Sequence, residues 1–169
     1  MQQFLIILRG APASGKSTIS KRLRNFDEKI AWLKVDNFKD FFADDSSSAL
    51  AFVNGSAVAT LGYLLDQGFS VVMDGVFQDT AAIDLATESA HAKGVKTIVY
   101  QITCELETLL ARDKTREGVA VGCRKPLGDH TITRIYQAIE NNSYPGSKLL
   151  DTETQTVEQC VETILRDLK

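Results

Sequence analysis

Residues 10–17 read Gly-Ala-Pro-Ala-Ser-Gly-Lys-Ser: a glycine, four residues, then Gly-Lys-Ser. This spacing suits the binding of a polyphosphate. Gly10 allows a sharp turn, and Gly15 lets main-chain N–H groups approach phosphate oxygens with no Cβ in the way. The amides from about Ser14 to Thr18, with Ala13 in the same cradle, would form an anion-binding nest at a helix N-terminus. Lys16 is placed to reach β- and γ-phosphates, and the Ser17 hydroxyl to sit on Mg²⁺. The chemistry implied is binding of a nucleoside triphosphate such as ATP with its magnesium.

Such a cradle needs a strand before it and a helix after it, and the sequence supplies both. Phe4-Leu5-Ile6-Ile7-Leu8 is an apolar run that ends just before the loop, and Ile19, Leu23 and Phe26 recur at helical spacing after it. Four further strands are predicted at 30–35, 69–73, 95–102 and 148–150. Helices are predicted at 16–25, 47–67, 79–93, 105–115, 130–141 and 155–168. Strands alternating with helices imply a parallel sheet covered on both faces. Gly68 and Gly94 stand where two helices should stop. Within 47–67, Asn54-Gly55 is expected to split or kink the helix, and Ser46-Ser47-Ser48 offers its N-cap. The segment 116–129 carries Gly118, Gly122, Gly128, Arg116, Arg124 and Lys125, and reads as a basic, turn-rich loop long enough to be functional.

Three aspartates close predicted strands, at the sheet end where ligands of open α/β sheets bind. They are Asp36, Asp74 and Asp151. A carboxylate near a γ-phosphate can take the proton of an attacking hydroxyl, and another can orient water on magnesium. Asp36 could instead cap a helix, Asp74 could be a turn residue before Gly75, and Asp151 reads as a strand-end residue. Arg112 and Arg116 lie one helical turn apart and would share a face, able to neutralise charge over a triphosphate; a solvated face paired with Asp113, Lys114 and Glu117 is the bland alternative. Phe38 could border an acceptor pocket and Gln78 could contact substrate. Cys104 reads as a packing residue, and neither His91 nor His130 is assigned a catalytic role.

The bounds from composition are plain. At 169 residues the chain fits one domain, and its formal net charge of −3 gives no general case for wrapping nucleic acid. No apolar run is expected to reach membrane-spanning length, and the N-terminal run lacks the form of a signal peptide. Three widely spaced cysteines read as reduced thiols of a cytoplasmic protein, and two histidines leave no room for a His-rich metal centre. No obligate protein partner is evident.

The phosphate loop near the N-terminus, Val35-Asp36 with aromatics after it, Val72-Met73-Asp74-Gly75, and Leu109-Leu110-Ala111-Arg112-Asp113-Lys114-Thr115-Arg116 together resemble the zeta-toxin / polynucleotide-kinase-like branch of P-loop kinases, which includes chloramphenicol phosphotransferase. The resemblance implies a three-layer α/β/α P-loop NTPase fold: one kinase domain over 1–169, a five-stranded parallel sheet in the order 2-3-1-4-5, and a helical lid over about 112–130. It implies Asp36 as general base for a substrate hydroxyl, Lys16 and Ser17 on phosphate and magnesium, and Arg116 with Arg112 as lid arginines on ATP. Because the third strand of P-loop kinases adjoins the phosphate-loop strand, Asp74 takes the metal side. The expected activity is transfer of the γ-phosphoryl group from ATP to a hydroxyl of a small molecule or a nucleic-acid 5′ end. The segment Asp74-Gly75-Val76-Phe77-Gln78 departs from the polynucleotide kinases and weakens the nucleic-acid option. The alternative is a non-kinase nucleotide-binding or ATPase module. A guanine-binding Asn-Lys-x-Asp run is missing from the sequence, and no glutamate follows Asp74 to activate water.

Overall fold

The computed structural model describes residues 2–43, 47–118 and 125–169. Twelve segments follow one another: β1 (Phe4–Gly10), α1 (Lys16–Arg24), β2 (Ile30–Lys34), a 3-10 segment (Val35–Phe41), α2 (Ser47–Asp66), β3 (Ser70–Gly75), α3 (Ala81–His91), β4 (Lys96–Thr103), α4 (Leu106–Lys114), α5 (Asp129–Glu140), β5 (Lys148–Asp151) and α6 (Val157–Asp167). The five strands form one parallel sheet in the order β2-β3-β1-β4-β5, the expected order. β1 lies at its centre with every residue buried, which is why it reads as an unbroken apolar run.

Side chains alternate across the sheet and feed two cores. Leu5, Ile7, Val71, Met73 and Val99 meet Val53, Ala57, Leu61 and Leu65 of α2 and Ile83, Ala86 and Ala90 of α3. Phe4, Ile6, Leu8, Val72, Tyr100 and Ile102 meet Ile19 and Leu23 of α1 and Cys160, Val161 and Ile164 of α6. A third cluster joins α4 and α5 to the start of the phosphate loop through Ala11, Leu109, Ile132, Ile135 and Ile139. The register sets Asp74 of β3 beside Leu8 of β1 and Lys34 of β2, so the expected carboxylates reach the same sheet end as the loop.

Two expectations are corrected in α2. The helix runs unbroken from Ser47 to Asp66 through Asn54-Gly55. A glycine inside a helix costs about 1 kcal/mol, but Val53, Ala57, Leu61 and Leu65 are buried at four-residue steps, and burying Val53, Leu61 and Leu65 is worth about 1.5–3 kcal/mol each. Gly55 faces solvent on the opposite side. The second correction concerns hydropathy. Ala49–Asp66 has a mean hydropathy of 1.3 over 18 residues, long and apolar enough by composition alone to cross a membrane. Its inner stripe of Val53, Ala57, Leu61 and Leu65 packs on the sheet, while Leu50, Phe52 and Tyr63 on its outer face are exposed. The Ser46-Ser47-Ser48 cap falls outside the described side chains. α6 begins with a capping box instead: Thr156 Oγ1 accepts from the Gln159 amide while Gln159 Oε1 accepts from the Thr156 amide.

One charge sits in the middle of this apolar frame. Arg9, the penultimate residue of β1, is fully buried. Its Nε donates to the Phe77 carbonyl at 2.9 Å and one Nη to Gln101 Oε1 at 2.8 Å. The other Nη donates to the carbonyl of Asn142, whose Nδ2 in turn donates to the Gln78 carbonyl at 2.9 Å. Burial pushes the Arg9 pKa down and Glu140 opposes it. The network fastens the loop after β3, where Phe77 holds a left-handed φ of +48° and its ring folds over Gly75, 2.9 Å from where a Cβ would stand. Replacing Arg9 by methionine would leave the Phe77 carbonyl and the Gln101 amide oxygen buried without that donor and free the Asn142 carbonyl from its tie. Arg9→Met should therefore lower unfolding stability by about 3 kcal/mol or more, read from the urea midpoint; an unchanged midpoint would refute the network as a structural tie.

Candidate functional site

At the C-terminal end of β1 the chain makes the turn that the sequence requires. A Cβ on Gly10 would stand 2.6 Å from the Ile102 carbonyl oxygen and 3.1 Å from Ser14 Oγ, so this glycine is set by the close passage of β4. Ala13 takes a left-handed φ of +66° and Gly15 one of +92°. Gly15 is the N-cap of α1, which has no side-chain cap and no acidic residue in its first turn. Among the described residues, the amides of Gly15, Lys16 and Ser17 donate to no backbone carbonyl, whereas those of Thr18 and Ile19 donate to Gly15. An uncapped helix start with free amides and no opposing carboxylate is what an anion needs. The residues present thus fit a polyphosphate.

Lys16 is buried under this loop. Its Nζ donates to the Ala11 carbonyl at 2.7 Å and lies 3.3 Å from Ser14 Oγ. Burial pushes its pKa down to about 8; Asp74 and Asp36 oppose that fall, while Arg116 and Lys34 add to it. The expected catalytic and phosphate-side residues therefore share one electrostatic neighbourhood. Asp74 is buried, accepts from Trp32 Nε1 at 3.0 Å, and has its pKa raised by burial against the pull of Lys16. Asp36 lies in the 3-10 segment after β2 and pairs with Lys39 at 2.6 Å. It does not cap the segment, since the N-cap is Lys34. No group of three or more His, Cys, Asp or Glu among the described residues could hold a metal. A magnesium ion here would rely on Ser17, phosphate oxygens and water, with Asp74 behind them.

The two arginines occupy different places. Arg112 turns to the loop after β5, where its Nη2 donates to the Thr152 carbonyl at 2.9 Å and its Nη1 to Thr152 Oγ1 at 3.3 Å. Thr152 Oγ1 lies 3.0 Å from the Ser14 carbonyl, so this arginine braces the phosphate loop through a threonine. Arg116 pairs with buried Asp113 at 3.3 Å and faces Lys16 closely enough to perturb it. The other oxygen of Asp113 accepts the amides of Leu127 and Gly128 at 2.8 and 3.0 Å, pinning the far end of the basic loop. Arg124 lies outside the described residues, and Lys125 is exposed. Cys104 is buried and donates to Glu153 Oε2 at 3.2 Å, and burial raises its pKa, as a packing thiol requires. A groove of about 260 Å³ leads away from Thr18 between Lys21 and Arg22 of α1 and Val157 and Glu158 of α6.

Sequence reasoning missed Arg9, Trp32, Lys34 and Thr152. Thr152 had a usable signal, since it follows a strand end on the same side of the sheet as Asp36 and Asp74. Arg9 had none, because a charge next to a glycine loop reads as exposed. Asp113 was named as a local partner of the arginines and does pair with Arg116, but it is buried, not on a solvated face.

The Lys16 shift has a sign that can be measured. Between about pH 8 and 10.5 the unfolded chain holds a proton on Lys16 that the folded chain has released. Stability without nucleotide should therefore rise with pH across that window, and Lys16→Met should remove the rise. Denaturant titrations at stepped pH test it, and parallel profiles for parent and variant would contradict it.

No curated protein sequence matches this chain. Among solved structures, the fold is similar to APS kinase from Mycobacterium tuberculosis, with a TM-score of 0.72 at 14% identity, covering 99% of this chain and 98% of that one. It is similar to the tunicamycin resistance protein of Deinococcus radiodurans, with a TM-score of 0.69 at 13% identity over 99% and 96% of the two chains. A gluconokinase from Sinorhizobium meliloti gives a TM-score of 0.68 at 16% identity over 98% and 91%. Identities this low establish the fold alone. The sequence itself matches the family described as AAA domain over residues 5–141. This chain therefore belongs to the AAA-domain family, and its fold is that of the P-loop kinases.

Proposed function

We propose that the protein is an ATP-dependent phosphotransferase that moves a γ-phosphoryl group onto a hydroxyl of a small molecule or a nucleic-acid 5′ end. The observation that carries this reading is the buried Lys16 ammonium, set under an uncapped helix start and flanked by the charges of Asp74 and Asp36. The whole of 1–169 acts as one kinase domain, with a lid over about 112–130. The resemblance of its motifs to the zeta-toxin / polynucleotide-kinase-like enzymes supports this reading. That several similar structures are named kinases supports the reaction class.

In this reading the amides from Ser14 to Thr18 bind the triphosphate, with Gly10 and Ala13 shaping the turn. Lys16 leaves the Ala11 carbonyl to pair with phosphate oxygens. Ser17 and Asp74 hold the magnesium side, where the ion when bound neutralises charge on the phosphates. Arg116 turns from Asp113 toward the transferred group, and Arg112 with Thr152 frames the nucleoside end beside the groove at Thr18. Asp36 takes the proton of the acceptor hydroxyl, exchanging its ion pair with Lys39 for that contact.

Lys16→Ala should abolish phosphoryl transfer while circular dichroism stays that of the parent; turnover at the parent rate would remove Lys16 from the reaction. Asp36→Asn should bind Mg·ATP as the parent does, yet lose acceptor-dependent turnover by roughly a hundredfold or more. Undiminished turnover in that variant would place the base elsewhere. An ATPase module would instead release ADP at one rate with or without any alcohol.

A further inference from the structure

Asp113 is a buried carboxylate to which the proposed reaction gives no task; only 2% of the residue is exposed. Its two oxygens are held very differently. Oδ2 accepts the Leu127 and Gly128 amides at 2.8 and 3.0 Å. Oδ1 is buried and receives no hydrogen bond among the described residues. Arg116 Nε stands 3.3 Å from it, an ion pair without hydrogen-bond geometry. Buried carboxylate oxygens are normally supplied with donors, so an orphan of this kind calls for an explanation.

The contacts around Asp113 divide into fixed and loose. The stem of the basic loop is fixed by the two amides on Oδ2 and, at the surface, by Lys114 with Asp129 at 3.3 Å, which joins the end of α4 to the start of α5. The Arg116 amide donates to the Asp113 carbonyl at 3.1 Å, so its main chain belongs to that stem. The Arg116 guanidinium is the loose member. Its side chain is 18% exposed, and its charge already reaches Lys16. One cation thus has two claimants: a buried carboxylate that holds it without a hydrogen bond, and phosphate oxygens at Lys16.

We propose that Asp113 is a positioning residue that competes with the nucleotide for Arg116. Without a polyphosphate, the carboxylate keeps the guanidinium beside the site and already partly desolvated. Arriving phosphate oxygens must take it from Asp113, so part of their binding free energy goes into leaving Oδ1 without a partner. The stem need not move, because Oδ2 keeps both amides and only the side chain swings. Asp113 therefore lowers nucleotide affinity in proportion to the time it holds Arg116. This rests on the reading of Arg116 as an arginine on ATP.

The test is a double-mutant cycle read by calorimetric titration of Mg·ATP. Asp113→Asn keeps an acceptor for the Leu127 and Gly128 amides and removes the charge that holds Arg116. It should tighten Mg·ATP binding about fivefold. Arg116→Met should weaken binding about tenfold. In the Arg116→Met background, Asp113→Asn should change affinity by less than about twofold, since no guanidinium is left to compete for. Equal tightening in both backgrounds would mean only the loss of a negative charge near the phosphates, and would overturn the competition. So would unchanged or weaker binding by Asp113→Asn. If Asp113→Asn does not fold, Asp113→Ser, whose hydroxyl also accepts an amide, takes its place in the cycle. Without nucleotide, Arg116→Met should lower the urea midpoint by orphaning the carboxylate; an unmoved midpoint would also overturn the inference. If Arg116→Met binds Mg·ATP as tightly as the parent, the reading of Arg116 on ATP itself falls, and this inference with it.

Discussion

The site depends on a single buried ammonium. Lys16 sits at the first turn of α1, under a loop whose amides point the same way as its own charge. Left alone, that concentration of positive charge in a desolvated place would be unfavourable, and the depressed pKa of Lys16 records it. Two carboxylates, Asp74 of β3 and Asp36 just after β2, relieve part of the cost. A polyanion relieves the rest, which makes the folded chain a receptor for one.

The sheet order gives that arrangement its geometry. With β3 beside β1, Asp74 stands level with Leu8 at the strand end, and the 3-10 segment that follows β2 carries Asp36. Arg9 ties the same sheet end to the loop after β3, so the ground beside Asp74 is braced from below by a buried cation. Arg112 and Thr152 brace the glycine loop after β1 in parallel fashion. The molecule is also divided by charge. Arginines and lysines gather on α1 and α4 and at Arg116, Arg124 and Lys125 after α4, while the stretch from residue 40 to residue 92 has none.

Much of this was legible in the sequence because local rules and the fold agree. Glycine spacing, apolar runs and helical periodicity all marked the same boundaries, and the sheet came out in the order expected for its motifs. The failures have physical causes. Asn54-Gly55 reads as a break, but local propensity there is overridden by the stripe that α2 packs on the sheet. The length of apolar sequence in the same helix was overlooked because small residues such as Ala51, Gly55 and Ala59 do not stand out as an apolar run. Arg9 and Trp32 serve the site through partners far away in sequence, so no local pattern marks them. Arg112 lies on α4, as its helical spacing predicts, but nothing in that spacing foretells that its guanidinium is held by Thr152.

The most direct test of the account is the proton balance of nucleotide binding. Mg·ATP would be titrated into the protein at about pH 9 by calorimetry, in buffers of different ionisation heat. If phosphate oxygens bind at the Lys16 amine, whose pKa is held near 8, binding should draw in up to about one proton, and Lys16→Met should lose both the uptake and most of the affinity. Tight binding without proton uptake, or equal binding by the variant, would contradict the placement of the phosphates on which every later step rests.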